Sequence, residues 1–177
     1  MKQAIFYLIT LFLISSCKPS ESRRPISNNS GTFIDASIER NKQLNKIEYN
    51  EIETLLQTSK KTVLNSNFGF WYYYNNKLET PAKTPKFGDL VYFNYNVKNL
   101  KNELIYSKEE LAVQNYHIDQ QDLFSGLREG LKLMKEGEII TFIFPSQKAY
   151  GYYGDNDQIG RNVPLICEVS LLKHQIN

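Results

Sequence analysis

Apolar and polar residues alternate from Asp89 to Leu100 well enough for one long strand. Lys101-Asn102 reads as a turn into a second strand, Glu103 to Ser107. Tyr116 and Ile118 alternate in a third, and Ile139 to Phe144 and Leu165 to Leu171 read as two more. Leu123, Leu127, Leu131 and Met134 fall on one side of a short helix between them. Upstream, Phe68 to Tyr74 reads as a dense aromatic strand that joins the sheet. Asn75-Asn76 then reads as a turn, and Leu78 to Lys86, with Pro81 and Pro85, as a loop. Ile34, Ile38, Leu44, Ile47, Ile52, Leu55 and Leu56 recur at roughly helical spacing. They predict a helix from Asp35 to about Ser59, capped by Asp35, with Glu39 in the first turns where acids suit the helix dipole. That stripe needs cover: the domain itself is the expected partner, a second copy the alternative. The sum is an α+β chain in which a curved antiparallel sheet wraps one short helix behind an N-terminal helical arm.

The first residues follow another logic. Lys2 precedes an apolar run from Ala4 to Ile14, then Ser15-Ser16-Cys17, the pattern of a signal peptide over residues 1–16. The run is short of the roughly 20 residues a membrane span needs. Ile14-Ser15-Ser16-Cys17 resembles a bacterial lipoprotein box, which implies that the Cys17 thiol carries diacylglycerol. Several acyl chains would hold the protein on a membrane. The polar stretch from Lys18 to Gly31 reads as a tether, so the expected divisions are 17–33 tether, 34–66 arm and 67–177 main domain.

Composition narrows the chemistry. With 12 Tyr and 10 Phe in 177 residues, aromatics should crowd the sheet. A formal charge of +2 offers no basic stripe for nucleic acid. Cys17 sits at a processing site and Cys167 in a strand, so no disulfide is expected. His117 and His174 read as structural. There is no Cys-x-x-Cys, no His-Glu-x-x-His and no phosphate loop, and Ser125-Gly126 lacks the surroundings of a nucleophile elbow. Asp155-Asn156-Asp157 lacks the rest of a calcium loop. No metal or cofactor is expected.

Five short pieces lie in order. They are Gly88-Asp89-x-Val91-x-x-x-Tyr95, Gly126-x-x-Glu129-Gly130-x-x-x-Met134-x-x-Gly137-Glu138, Pro145, Ala149-Tyr150-Gly151, and Leu165-x-x-x-Val169-x-Leu171-Leu172. From about Pro85 to Lys173 the chain resembles the FKBP-type peptidyl-prolyl isomerases. The resemblance implies an FKBP-like domain over 67–177 and a proline pocket. Tyr95 would stand at the pocket wall and Tyr150 would bond a substrate carbonyl. Leu123 and Phe124 match the apolar pair before Gly126, and Ile159 an apolar loop residue. Five positions depart from the family: Cys167 replaces a floor phenylalanine, Leu127 a tryptophan, Ile105 another phenylalanine and Tyr106 an aspartate. Gln114 falls where the family has an aromatic residue.

Prolyl isomerisation needs no nucleophile. Rotation about the amide faces a barrier of roughly 18–20 kcal/mol because it removes resonance. A dry aromatic pocket that favours the twisted amide over the planar one lowers that barrier. The departures leave a weakened enzyme or a non-catalytic chaperone module as the two readings. The whole arrangement also resembles the gliding-motility-associated isomerase lipoproteins of Bacteroidota. That implies a periplasm-facing lipoprotein whose partners are proline-containing segments of envelope proteins, with dimerisation through the N-terminal helix as a further expectation.

Overall fold

The computed structural model describes residues 31–79 and 81–177, with side chains from Ile34 onward. The expected signal peptide, Cys17 and most of the tether lie outside the described residues.

Helix α1 runs Gly31–Thr58. It starts before the expected cap, so Asp35 lies inside it; no Pro or Gly interrupts the run after Gly31. The stripe divides in two. Ile52 is fully buried, whereas Leu44 and Ile47 are exposed, as are Ile34 and Ile38. No helix among the described residues is long and apolar enough to cross a membrane.

The strands are β1 (Leu64–Asn65), β2 (Trp71–Asn76), β3 (Leu90–Tyr95), β4 (Val97–Lys98), β5 (Leu104–Tyr106), β6 (Gln114–His117), β7 (Ile139–Phe144) and β8 (Leu165–Gln175). They form one sheet in the order β1-β2-β7-β8-β3-β6, with β4 paired to β5 and β8. Every pairing is antiparallel. Two short helices interrupt the strands, α2 (Lys108–Leu111) and α3 (Ser125–Leu131).

Strand β7 explains the core. It reads Ile-Ile-Thr-Phe-Ile-Phe, β-branched and aromatic throughout, and only its first residue is not buried. Helix α3 lies directly on it. A Cβ at Gly126 would sit 2.5 Å from the Phe144 ring and 2.7 Å from the Lys148 carbonyl oxygen, so only glycine permits the approach. Phe70 closes the layer, its ring edge-on to Phe142 and Phe144 at 5.8 and 5.2 Å. Burying each such ring contributes about 1.5–3 kcal/mol.

Four expectations about elements need correction. The aromatic strand begins at Trp71, because Phe68-Gly69 form a turn in which Gly69 takes a positive φ of 81°. Asn75-Asn76 belong to β2, where Asn75 Nδ2 donates across the sheet to Thr141 Oγ1 (2.8 Å) and Glu168 Oε2 (3.0 Å). The long strand breaks at Asn96, which turns its own backbone and side chain to Glu168. Helix α3 stops at Leu131, and Met134 reaches the core from the turn that follows. Helix α2 was not expected. Its capping box is complete: Ser107 Oγ accepts from the Glu110 N–H, and the Glu110 carboxylate from the Ser107 N–H.

Candidate active site

The sequence-expected residues come from β3, β5, α3 and its entry, the segment after β7, the loop before β8 and β8 itself. The structure brings them together. Tyr95, Leu127, Ile159 and Cys167 belong to the buried core, and Ile105, Tyr106, Leu123, Phe124 and Tyr150 pack half-buried against it. Gln114 is also half-buried, and its side chain donates to the Leu111 carbonyl.

Phe124 is the aromatic centre of the rim. It ends the extended approach to α3, with φ −62° and ψ 144°, so its ring stands over the sheet. Its centroid lies 5.1 Å from Tyr150 and 5.4 Å from Phe144. Tyr150 follows a 3-10 turn, Ser146–Lys148, that leads the chain off β7. Ala149 and Gly151 both donate their N–H to the Ser146 carbonyl, at 3.0 and 2.9 Å. The turn thus holds Tyr150 on both sides. Gly151 has a positive φ of 59°, which glycine adopts without strain.

Burial, then the Asp155 charge, pushes the Tyr150 hydroxyl above its ordinary pKa. Burial, then Tyr150, does the same to Tyr95. Both hydroxyls therefore stay protonated, and neither makes a hydrogen bond among the described residues. Burial alone raises the Cys167 thiol far from its reactive range, and the residue is a free cysteine.

Tyr106 behaves differently. Its hydroxyl donates to Asp155 Oδ2 at 2.6 Å, lies 3.2 Å from Asp157 Oδ2, and accepts the Gln158 N–H at 3.2 Å. Burial, reinforced by the bond to Asp155, pushes it up to about 12. Asp155 also accepts the N–H groups of Asp157 and Ile159, both at 2.9 Å. Burial works to raise its carboxyl, but these bonds outweigh that and hold it below its usual value. The loop is therefore built around Asp155 and carries Ile159 into the core. In the sequence Asp155 stands out only as part of an incomplete calcium loop. An acid does stand at this wall, supplied by the loop rather than by the β5 position that Tyr106 occupies. The Asp-x-Asp spacing hinted at an Asx-type turn, but the tyrosine partner lies 49 residues away.

Leu127 and Cys167 have no solvent-accessible surface. Ile105, Leu123, Phe124 and Tyr150 pack half-buried against the core that holds them. A surface cavity of about 490 Å³ lies elsewhere, between α1 and the β4–β5 turn, lined by Glu51, Leu55, Asn99, Lys101 and Pro164. Neither histidine joins the cluster. His117 ends β6, and His174 on β8 pairs with Asp89 at 2.8 Å. No group of three or more His, Cys, Asp or Glu that could hold a metal ion occurs among the described residues.

Comparison with known proteins identifies a family and a fold. The family model described as FKBP-type peptidyl-prolyl cis-trans isomerase matches residues 82–172. Over 48 residues the chain is 46% identical to the probable FKBP-type peptidyl-prolyl cis-trans isomerase FkpA of Neisseria meningitidis serogroup B. The match spans 27% of this chain and 18% of that relative. Two crystal structures share the fold. FkpA from Escherichia coli has a TM-score of 0.61 at 24% identity, over 98% of this chain and 81% of that one. A peptidyl-prolyl cis-trans isomerase from Pseudomonas syringae pv. tomato has a TM-score of 0.58 at 22% identity, over 76% and 96%.

Proposed function

Since the chain belongs to the FKBP-type peptidyl-prolyl cis-trans isomerase family, we propose that it isomerises X–Pro bonds at the cluster of Tyr95, Phe124 and Tyr150. The observation that carries the proposal is the Tyr150 hydroxyl, a neutral donor beside the Phe124 ring with no hydrogen-bond partner among the described residues. A substrate carbonyl accepts from it. The proline ring rests on Phe124, with Ile105 and Leu123 at the sides. As the amide twists it loses polarity, and the apolar rim then holds it better than the planar form. Leu127 and Cys167, at the expected floor, are fully covered, which supports modest activity. They also support the rival reading, a module that binds proline segments without turning them. Isomerisation of a proline-containing test peptide decides between the two. Acceleration by the chain is expected, and none at high protein concentration sinks the enzyme reading.

The proposal extends to place and partners. Ile14 to Cys17 and the polar stretch after it support a lipid anchor that holds the domain on the periplasmic side of a membrane. The clients are then proline-containing segments of envelope proteins, among them components of a gliding-motility machinery. Cys17→Ser should move the protein to the soluble fraction, and continued membrane retention refutes the anchor. Leu44 and Ile47, exposed on α1, supply a face for a second copy. Sedimentation showing monomers at every concentration dismisses that dimer.

A further inference from the structure

A carboxylate far from the pocket residues in sequence reaches the turn that carries Tyr150. Glu48 on α1 is only 8% exposed. Its Oε1 accepts the Ser146 N–H and its Oε2 the Ser146 hydroxyl, each at 2.6 Å. Ser146 is itself 3% exposed. Its carbonyl is the acceptor for Ala149 and Gly151, the two residues that flank Tyr150. One buried serine thus faces Glu48 with its donors and the Tyr150 segment with its acceptor. The neighbouring residues follow suit. Gln147 Nε2 donates to the Tyr49 hydroxyl at 2.9 Å, and the Tyr49 ring meets Trp71 edge-on at 5.5 Å. Ile52, one turn beyond Glu48, is fully buried.

A carboxylate is costly to bury unless it is well bonded, and an apolar side chain would anchor a helix without that cost. Two short bonds aimed at one residue do more than anchor: they fix where the turn begins. The geometry points to Glu48 as a positioning residue for Tyr150, which makes the helical arm a structural part of the isomerase site. This rests on the reading of Tyr150 as a substrate-bonding residue.

The test compares three variants of the full chain in detergent micelles: Glu48→Ala, Glu48→Gln and His174→Ala. The last removes the buried contact between His174 and Asp89 next to the start of β3 and serves as a stability control. Glu48→Ala should lower kcat by about tenfold with KM nearly unchanged, as expected for a displaced reacting geometry. Glu48→Gln keeps one acceptor oxygen and should recover part of the loss. It also serves if Glu48→Ala fails to fold. Nuclear Overhauser contacts between the Tyr150 and Phe124 rings should weaken in Glu48→Ala and persist in His174→Ala. Lowered thermal stability with unchanged kcat and intact ring contacts would overturn the proposal. If the wild-type chain isomerises nothing, the enzymatic reading fails on its own. The ring contacts then decide: selective loss in the Glu48 variants supports the positioning role, and retention ends it.

Discussion

The two ends of β3 are built on opposite terms. Just before Leu90, the Asp89 carboxylate accepts the N–H groups of Lys86 (3.0 Å) and Asn177 (3.1 Å) and pairs with His174 Nε2 (2.8 Å). Both acidic and basic side chains are less than a tenth exposed. At the other end stands Tyr95, near Tyr150, with two hydroxyls that bond nothing among the described residues. Buried polar groups are normally satisfied. One end of the strand meets that requirement internally and serves stability. The other carries the hydroxyls that the proposed site would offer a substrate.

Removing Asp89 should have the largest effect on this contrast. Asp89→Ala leaves His174 and two backbone donors without their acceptor and should cost about 3 kcal/mol in urea unfolding, with isomerase activity kept in the folded protein. Acid sharpens the same point. The bond to His174, helped by Lys86, holds the Asp89 carboxyl at about 2, below its ordinary 3.8. A depressed carboxylate contributes fully above its unfolded pKa and loses that contribution as pH falls through the folded one. Stability should therefore drop between about pH 4 and pH 2, and Asp89→Ala should flatten that drop.

Tyr150→Phe tests the open end. It should lower kcat/KM about tenfold, equivalent to about 1.4 kcal/mol of transition-state stabilisation. Unfolding should stay within about 0.5 kcal/mol of wild type, because no internal bond is lost. A large loss of stability would mean that the hydroxyl serves the fold. Tyr106→Phe is the intermediate case, a hydroxyl near the pocket that is spent on the protein itself. It should cost about 1 kcal/mol in stability by releasing the Asp155 loop. A stability unchanged from wild type would show that the loop holds itself.

What the sequence revealed follows from the range of each interaction. Strand β7 was legible to the residue because a continuous run of β-branched and aromatic residues is a local signal. The first turn of α2 carried a readable signal, Ser107-x-x-Glu110, hidden by its shortness. Asn75 and Asn76 misled because asparagine favours turns, yet here partners on two neighbouring strands satisfy the Asn75 amide. The candidate pocket residues came from family resemblance, and their convergence is the fold's doing. Glu48 escaped because its partner lies 98 residues away and no local pattern marks a buried acid on a helix rich in exposed ones.

The family match begins at residue 82, but β2 and Phe70 precede it. Cutting the chain at that border would strip a neighbour from β7, whose Ile-Ile-Thr-Phe-Ile-Phe run would become a bare, greasy rim ready to zip onto any passing strand. A shortened version made for convenience would thus be an aggregation hazard. The smallest well-behaved unit is set by which residues cover the sheet's flank, and it is longer than the portion that shares a family.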